Sequence, residues 1–237
     1  MSVFFKIINA FRSIRLNTKK GLQGMPLNYV LVSSMYAEQQ SAYINSFETG
    51  LRKSILKKLL EDYWHIGDKN AAVETLLDLQ NRNDDTYINV VYGAWAVKDD
   101  YVDFLKSNLP EEEDAFKYYI GIYRKLKNVV PELIELGVIK EFSDLKTIKD
   151  SGWNYGRAAF LARCCFEMGY ISEVEMQQYL ENGYLGLKKY CKTWEEYTIS
   201  YILGRAIWSG ANISGMVQIA EHLLQNEKSP LKRRAYI

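Results

Sequence analysis

Residues 152–169, GWNYGRAAFLARCCFEMG, and residues 194–208, WEEYTISYILGRAIW, carry the reading that decides the fold. The first is a long apolar run stopped by Gly169, a residue suited to closing a helix C-terminus. Ser172 with Glu175, and Thr193 with Glu196, have the spacing of capping boxes, so each starts a further helix. Inside the two quoted segments the order glycine, arginine, alanine, apolar, aromatic occurs twice, as Gly156-Arg157-Ala158-Ala159-Phe160 and Gly204-Arg205-Ala206-Ile207-Trp208. Glycine within a helix costs about 1 kcal/mol relative to alanine, and close backbone contact is the simplest compensation. The two helices are therefore expected to be neighbours whose tight contact organises the C-terminal half.

Outward from this pair the helical pattern continues. Leu51, Ile55, Leu56, Leu59, Leu60 and Tyr63 recur at three- and four-residue steps, with Arg52, Lys53, Lys57 and Lys58 on the other face. Asp68 is placed to cap a helix with Ala72, Val73, Leu76, Leu77 and Leu79 inward. A helix is expected from Asp85 through Val97, continuing or restarting toward Leu105. Pro110 followed by Glu111-Glu112-Glu113-Asp114 reads as a helix start, because carboxylates complement the positive end of the helix dipole. Short helices are expected from Pro131 to Leu136 and near Asp144 to Lys149, and a last one from about Ser214 to Gln225. Residues 18–26 read as a loop, and Tyr29-Val30-Leu31-Val32 as either a short strand or a buried helical turn.

The expected fold is all-α: a single compact multi-helix domain over 25–237, preceded by an N-terminal helix and loop over 1–24, with a short extended segment near 29–32 as the open point. Four prolines and 15 glycines in 237 residues are too few turn formers for an all-β chain. Thirty basic against 29 acidic residues exclude a field that would draw the chain to nucleic acid. Lys228, Lys232, Arg233 and Arg234 lack interleaved stacking residues and read as a frayed, solvated end. Phe4, Ile7, Ile8, Phe11 and Ile14 form a helical stripe, read as docked on the body with a membrane-surface helix as the alternative; no segment reads as a signal peptide or membrane span. Cys164, Cys165 and Cys191 fit neither a disulfide framework nor a zinc site, which points to a reducing, cytoplasmic setting; the adjacent pair is read as core.

A search for catalytic constellations is negative. Neither His65 nor His222 lies in a zinc-binding array, and there is no phosphate loop, dinucleotide turn or nucleophile elbow. Glu173, Glu175, Glu195 and Glu196 sit at helix starts, where capping explains them. No catalytic residue, metal ligand or cofactor is assigned. The candidate binding residues are Trp153, Arg157, Arg163, Trp194, Tyr201, Arg205 and Trp208. Trp194, Tyr197, Tyr201, Gly204 and Trp208 share one helix face, as a core seam or as a pocket wall. Trp153 and Arg157 are spaced for stacking, Arg163 and Glu167 for an ion pair, and Arg157 and Arg205 for convergence on one site if their helices pack.

Trp153-Asn154-Tyr155-Gly156-Arg157-Ala158, then Arg163, then Gly169-Tyr170-Ile171-Ser172, resembles the central signature of the bacterial family called domain of unknown function 1266. Trp194-Glu195-Glu196-Tyr197, Ser200-Tyr201 and Gly204-Arg205-Ala206-Ile207-Trp208 are similar to its closing block, and Trp64-His65-Ile66 with Ala71, Glu74, Thr75 and Leu76 to its opening block. The likeness spans roughly residues 50 to 210. Cys164 and Cys165 stand where a bulkier residue is usual, and the segment after Leu79 lacks the basic and histidine residues of the opening block. The resemblance implies a compact helical module without supplying a mechanism. Abundant Tyr and Trp without a catalytic cluster make a non-enzymatic protein-binding module the first expectation, by analogy an immunity protein to a toxin, with an enzyme or receptor that binds a phosphate or carboxylate through Arg157 and Arg205 as the alternative.

Overall fold

The computed structural model describes residues 13–82, 86–209, 213–234 and 237, and helices dominate throughout. In chain order they are α1 (Gly24–Leu31), α2 (Ser34–Gln39), α3 (Lys53–Lys58), α4 (Lys69–Asn81), α5 (Thr86–Gly93), α6 (Tyr101–Asn108), α7 (Glu113–Glu135), α8 (Ser151–Met168), α9 (Glu173–Leu187), α10 (Trp194–Ser209) and α11 (Ile213–Gln225). A π-helical turn, Leu59–Tyr63, extends α3, and 3-10 turns occupy Ala94–Asp100 and Phe142–Leu145. The fold is a single all-α domain, with no strand among the described residues.

α8 is central. It packs against α9, α10 and α4, and also against α2 and α3. Almost every side chain from Ser151 to Cys165 is buried, as expected of a helix surrounded by others. Its stop and the next start form as the sequence implies: Gly169 takes the left-handed conformation at φ 79°, and Ser172 and Glu175 make a reciprocal capping box. At α10, Thr193 Oγ1 accepts from the Glu196 amide (3.1 Å), while the Glu196 carboxylate accepts from the Lys192 amide (2.5 Å), one residue earlier than the capping-box pattern requires.

Several expectations are corrected by burial. Residues 29–31 belong to α1 rather than to a strand, with Val30, Leu31 and Val32 fully buried, and the preceding loop ends at Gln23 because Pro26 fits a first helical turn. Pro131 does not start a new helix. It lies inside α7, whose buried stripe of Tyr123, Leu126, Val130 and Leu133 runs unbroken past it. The helix expected over 85–97 is α5 followed by a 3-10 turn and then α6, with residue 85 outside the described residues. Near 144–149 only the 3-10 turn and irregular turns form. Leu77 is exposed, as is Tyr63, for which the π turn is responsible.

The C-terminal segment is docked rather than frayed: Leu231 and Ile237 are buried, and the Ile237 amide donates to the Lys192 carbonyl (3.0 Å). Of the N-terminal stripe, Phe4, Ile7, Ile8 and Phe11 lie outside the described residues, and Ile14 is buried. No described helix is long and apolar enough to cross a membrane.

Candidate functional site

The twin glycines sit where α8 and α10 meet. An added Cβ at Gly204 would lie 2.2 Å from Trp153 Cβ, and one at Gly156 would lie 2.9 Å from two ring carbons of Tyr201. Nothing larger than hydrogen fits at either position, which is the compensation that two helix-interior glycines require. The close crossing sets Trp153 edge-on to Tyr201 (4.9 Å between centroids) and places both motif arginines over the Trp153 ring, Arg157 at 4.3 Å and Arg205 at 5.5 Å. Arg157 and Arg205 therefore both lie over one aromatic ring.

Arg157 is half-buried in surroundings that offer it only neutral acceptors. Its Nε donates to the Trp153 carbonyl (3.3 Å) and an Nη to Asn154 Oδ1 (2.6 Å), both on its own helix. No carboxylate lies within ion-pair distance of it among the described residues. Burial holds its pKa down to about 10. Its guanidinium also lies over the Trp64 ring, at 5.4 Å. Trp64 Nε1 in turn donates to the Tyr36 hydroxyl (3.0 Å), whose own pKa is raised by burial. Two donors beside this guanidinium, the Tyr201 hydroxyl and the Trp153 indole N–H, are buried and have no acceptor among the described residues. Buried polar groups are almost always paired, so these two donors are exceptions within the core.

Trp64 and Tyr36 are absent from the residues singled out by sequence. The π turn Leu59–Tyr63 explains why. It carries extra residue length in the helical ladder, so the three- and four-residue spacing that assigns Tyr63 to the inner face slips. Tyr63 is 68% exposed, and Trp64 is the residue turned toward Tyr36 and Arg157. The signal that existed was Trp64's place in the opening block.

The other candidates have different surroundings. Arg163 is fully buried and donates to the carbonyls of Tyr43 (2.6 Å), Phe47 (3.3 Å) and Glu48 (2.9 Å) and to Ser33 Oγ (2.9 Å). Glu167 does not pair with it; its carboxylate accepts from the Thr49 amide (3.0 Å) and hydroxyl (2.5 Å). Together they clamp the irregular segment 43–49 onto α8. Trp194 and Tyr197 lie in the core seam, and the Tyr197 hydroxyl donates to the Val32 carbonyl (2.5 Å) at the end of α1.

Trp208, at the far end of the stripe, donates its indole N–H to Asp150 Oδ2 (2.7 Å). Tyr92 approaches the other carboxylate oxygen at 3.5 Å. Burial raises the Asp150 pKa, and the hydrogen bonds from the uncharged Trp208 and Tyr92 offset this only in part. Asp150 precedes α8 and has no sequence signature of its own; only the packing of α10 and α5 around it reveals its role.

No curated protein and no solved structure matches the chain. A family model does match, over residues 59–236, which takes in the π turn, both Gly-Arg-Ala helices and the docked C-terminal segment. With more than half of its length inside that match, the chain belongs to the family described as protein of unknown function DUF1266.

Proposed function

We propose that this protein is a receptor for a small anionic ligand, a carboxylate or phosphate, held at the crossing of α8 and α10 by Arg157 with Arg205. The observation that carries this reading is the set of buried donors without acceptors, Tyr201 hydroxyl and Trp153 indole N–H, gathered beside a guanidinium with no carboxylate partner. An anion entering there accepts a charge-assisted hydrogen bond from Arg157 and satisfies donors that otherwise lose their hydration without replacement. The indoles of Trp64 and Trp153 both pack against the guanidinium and restrict its motion.

Thermal shift against phosphate, sulfate and short mono- and dicarboxylates tests this, since a ligand that binds only the folded state raises Tm. At least one anion is expected to raise Tm in a concentration-dependent way, and Arg157→Met to remove the rise while leaving a cooperative melt. If no anion shifts the wild type, or if Arg157→Met responds as the wild type does, the reading fails.

A second reading, a protein-binding module of which a toxin's immunity partner is one example, draws on a different surface. Tyr87 and Tyr118 are exposed and join Tyr119 and Trp208 in a chain of ring contacts of 5.0 to 6.1 Å. Exposed aromatic clusters of this kind are favoured at interfaces. Capture of a specific partner that is lost on Tyr118→Ser supports it, provided that Arg157→Met retains the partner.

A further inference from the structure

A cavity sharing no residue with the Arg157 surroundings opens between α5 with its following 3-10 turn and the segment 141–149. It measures about 640 Å³, within the usual range for small-molecule sites. Trp95 and Phe142, stacked at 4.4 Å and 12°, make an apolar wall with Tyr92. Lys146 and Lys149 supply positive charge on the side formed by 141–149. The acidic groups nearby are already engaged. Glu141 caps the Asp144 amide and accepts from Ser143 Oγ (2.5 Å), and Asp150 is buried against Trp208 and Tyr92.

Lys149 is held in an unusual way. Its backbone has φ 43°, a left-handed conformation that side-chain-bearing residues rarely adopt. Ser200 Oγ, reaching across from α10, sits at hydrogen-bond distance from the carbonyls of Ile148 (3.0 Å) and Lys149 (2.9 Å) and accepts from the Gly152 amide (2.8 Å), fixing that geometry. The ammonium is thereby kept at the cavity, where it meets Asn89 Oδ1, and burial lowers its pKa. Strain retained next to a cavity, with a partly desolvated cation aimed into it, is the pattern of a binding site rather than of a solvated surface lysine.

We propose that this cavity binds a small aromatic molecule bearing a carboxylate or phosphate, its ring against Trp95 and Phe142 and its anionic group on Lys149 with Lys146. Calorimetric titration of the full chain with 2-naphthoate, 1-naphthyl phosphate and, as neutral control, 2-naphthalenemethanol tests it. One or both anions should bind more tightly than about 1 mM, and at least fivefold more tightly than the alcohol. The tighter of the two identifies the headgroup. Lys149→Met and Trp95→Leu should each weaken binding about tenfold, the usual size for losing a charged hydrogen bond or a stacking wall. Lys149→Gly removes the same amine while relaxing the backbone, so it must fold and lose the same affinity. Arg157→Met should bind as the wild type does, which separates this site from the one at α8 and α10. Absence of anion binding, affinity unchanged in both Lys149 variants, or affinity lost only in Arg157→Met overturns the proposal.

Discussion

Arg157 and Arg163 lie on one helix and occupy similar chemical positions in the sequence, yet the structure gives them opposite surroundings. Arg163 satisfies four acceptors of other segments and is fully buried. Arg163→Met should therefore cost at least about 3 kcal/mol in urea denaturation, because it strands buried carbonyls. Arg157→Met removes bonds only to its own helix and should cost no more than about 1 kcal/mol. Glycines give a matching contrast. Gly204→Ala places a Cβ on Trp153 and should destabilise by about 1–3 kcal/mol or more, whereas Gly183→Ala in α9 meets only Gln80 Nε2 at 3.8 Å and should stabilise by up to about 1 kcal/mol. Equal effects in the two alanine variants would contradict the close crossing of α8 and α10.

At the level of elements, α9 is held at its start by charge as well as by capping. Glu175 accepts from the Ser172 amide and hydroxyl (2.8 Å each) and from Lys69 Nζ of α4 (2.6 Å). The Lys69 ammonium, with the Ser172 bonds, brings its pKa down to about 2 from an ordinary 4.5. A carboxyl whose folded value lies below its unfolded value stabilises fully above the unfolded value, and that stability is lost as pH falls from 4.5 toward 2. Glu175→Gln should flatten this part of the acid limb in a chemical-denaturation series and leave the slope above pH 5 unchanged. The π turn after α3 works at the same scale: it exchanges Tyr63 for Trp64 on the inner face and so completes the surroundings of Arg157.

Across the whole molecule, the interior is continuous enough to enclose all three thiols. Burial raises the pKa of Cys164 well above its usual value and pushes Cys165 and Cys191 up to about 12. A thiolate-selective reagent at pH 8 should label none of them in the folded protein and all three in urea, and rapid native labelling of any would show that the core opens. The same continuity joins the two proposed sites. Asp150 receives Trp208 of α10 and Tyr92 of α5, and Ser200 of α10 braces the Lys149 peptide, so the helix that carries Arg205 also shapes the cavity beside segment 141–149.

The sequence by itself determined the all-α class, the stop of α8 and the start of α9, and the contact of the Gly-Arg-Ala helices, because capping and the cost of a helical glycine are local properties written in short spacings. It also determined that Arg157 would meet Trp153, a neighbour one turn away on the same helix. Tertiary structure alone decided which arginine is scaffold and which faces unpaired donors, since that depends on segment 43–49 in one case and on Trp64, Tyr36 and Tyr201 in the other. It likewise decided that Pro131 sits inside α7 and that Lys149 and Asp150 face a cavity and a half-buried indole. Those outcomes depend on which distant side chains exclude water around a given atom, and spacing along the chain carries no record of that.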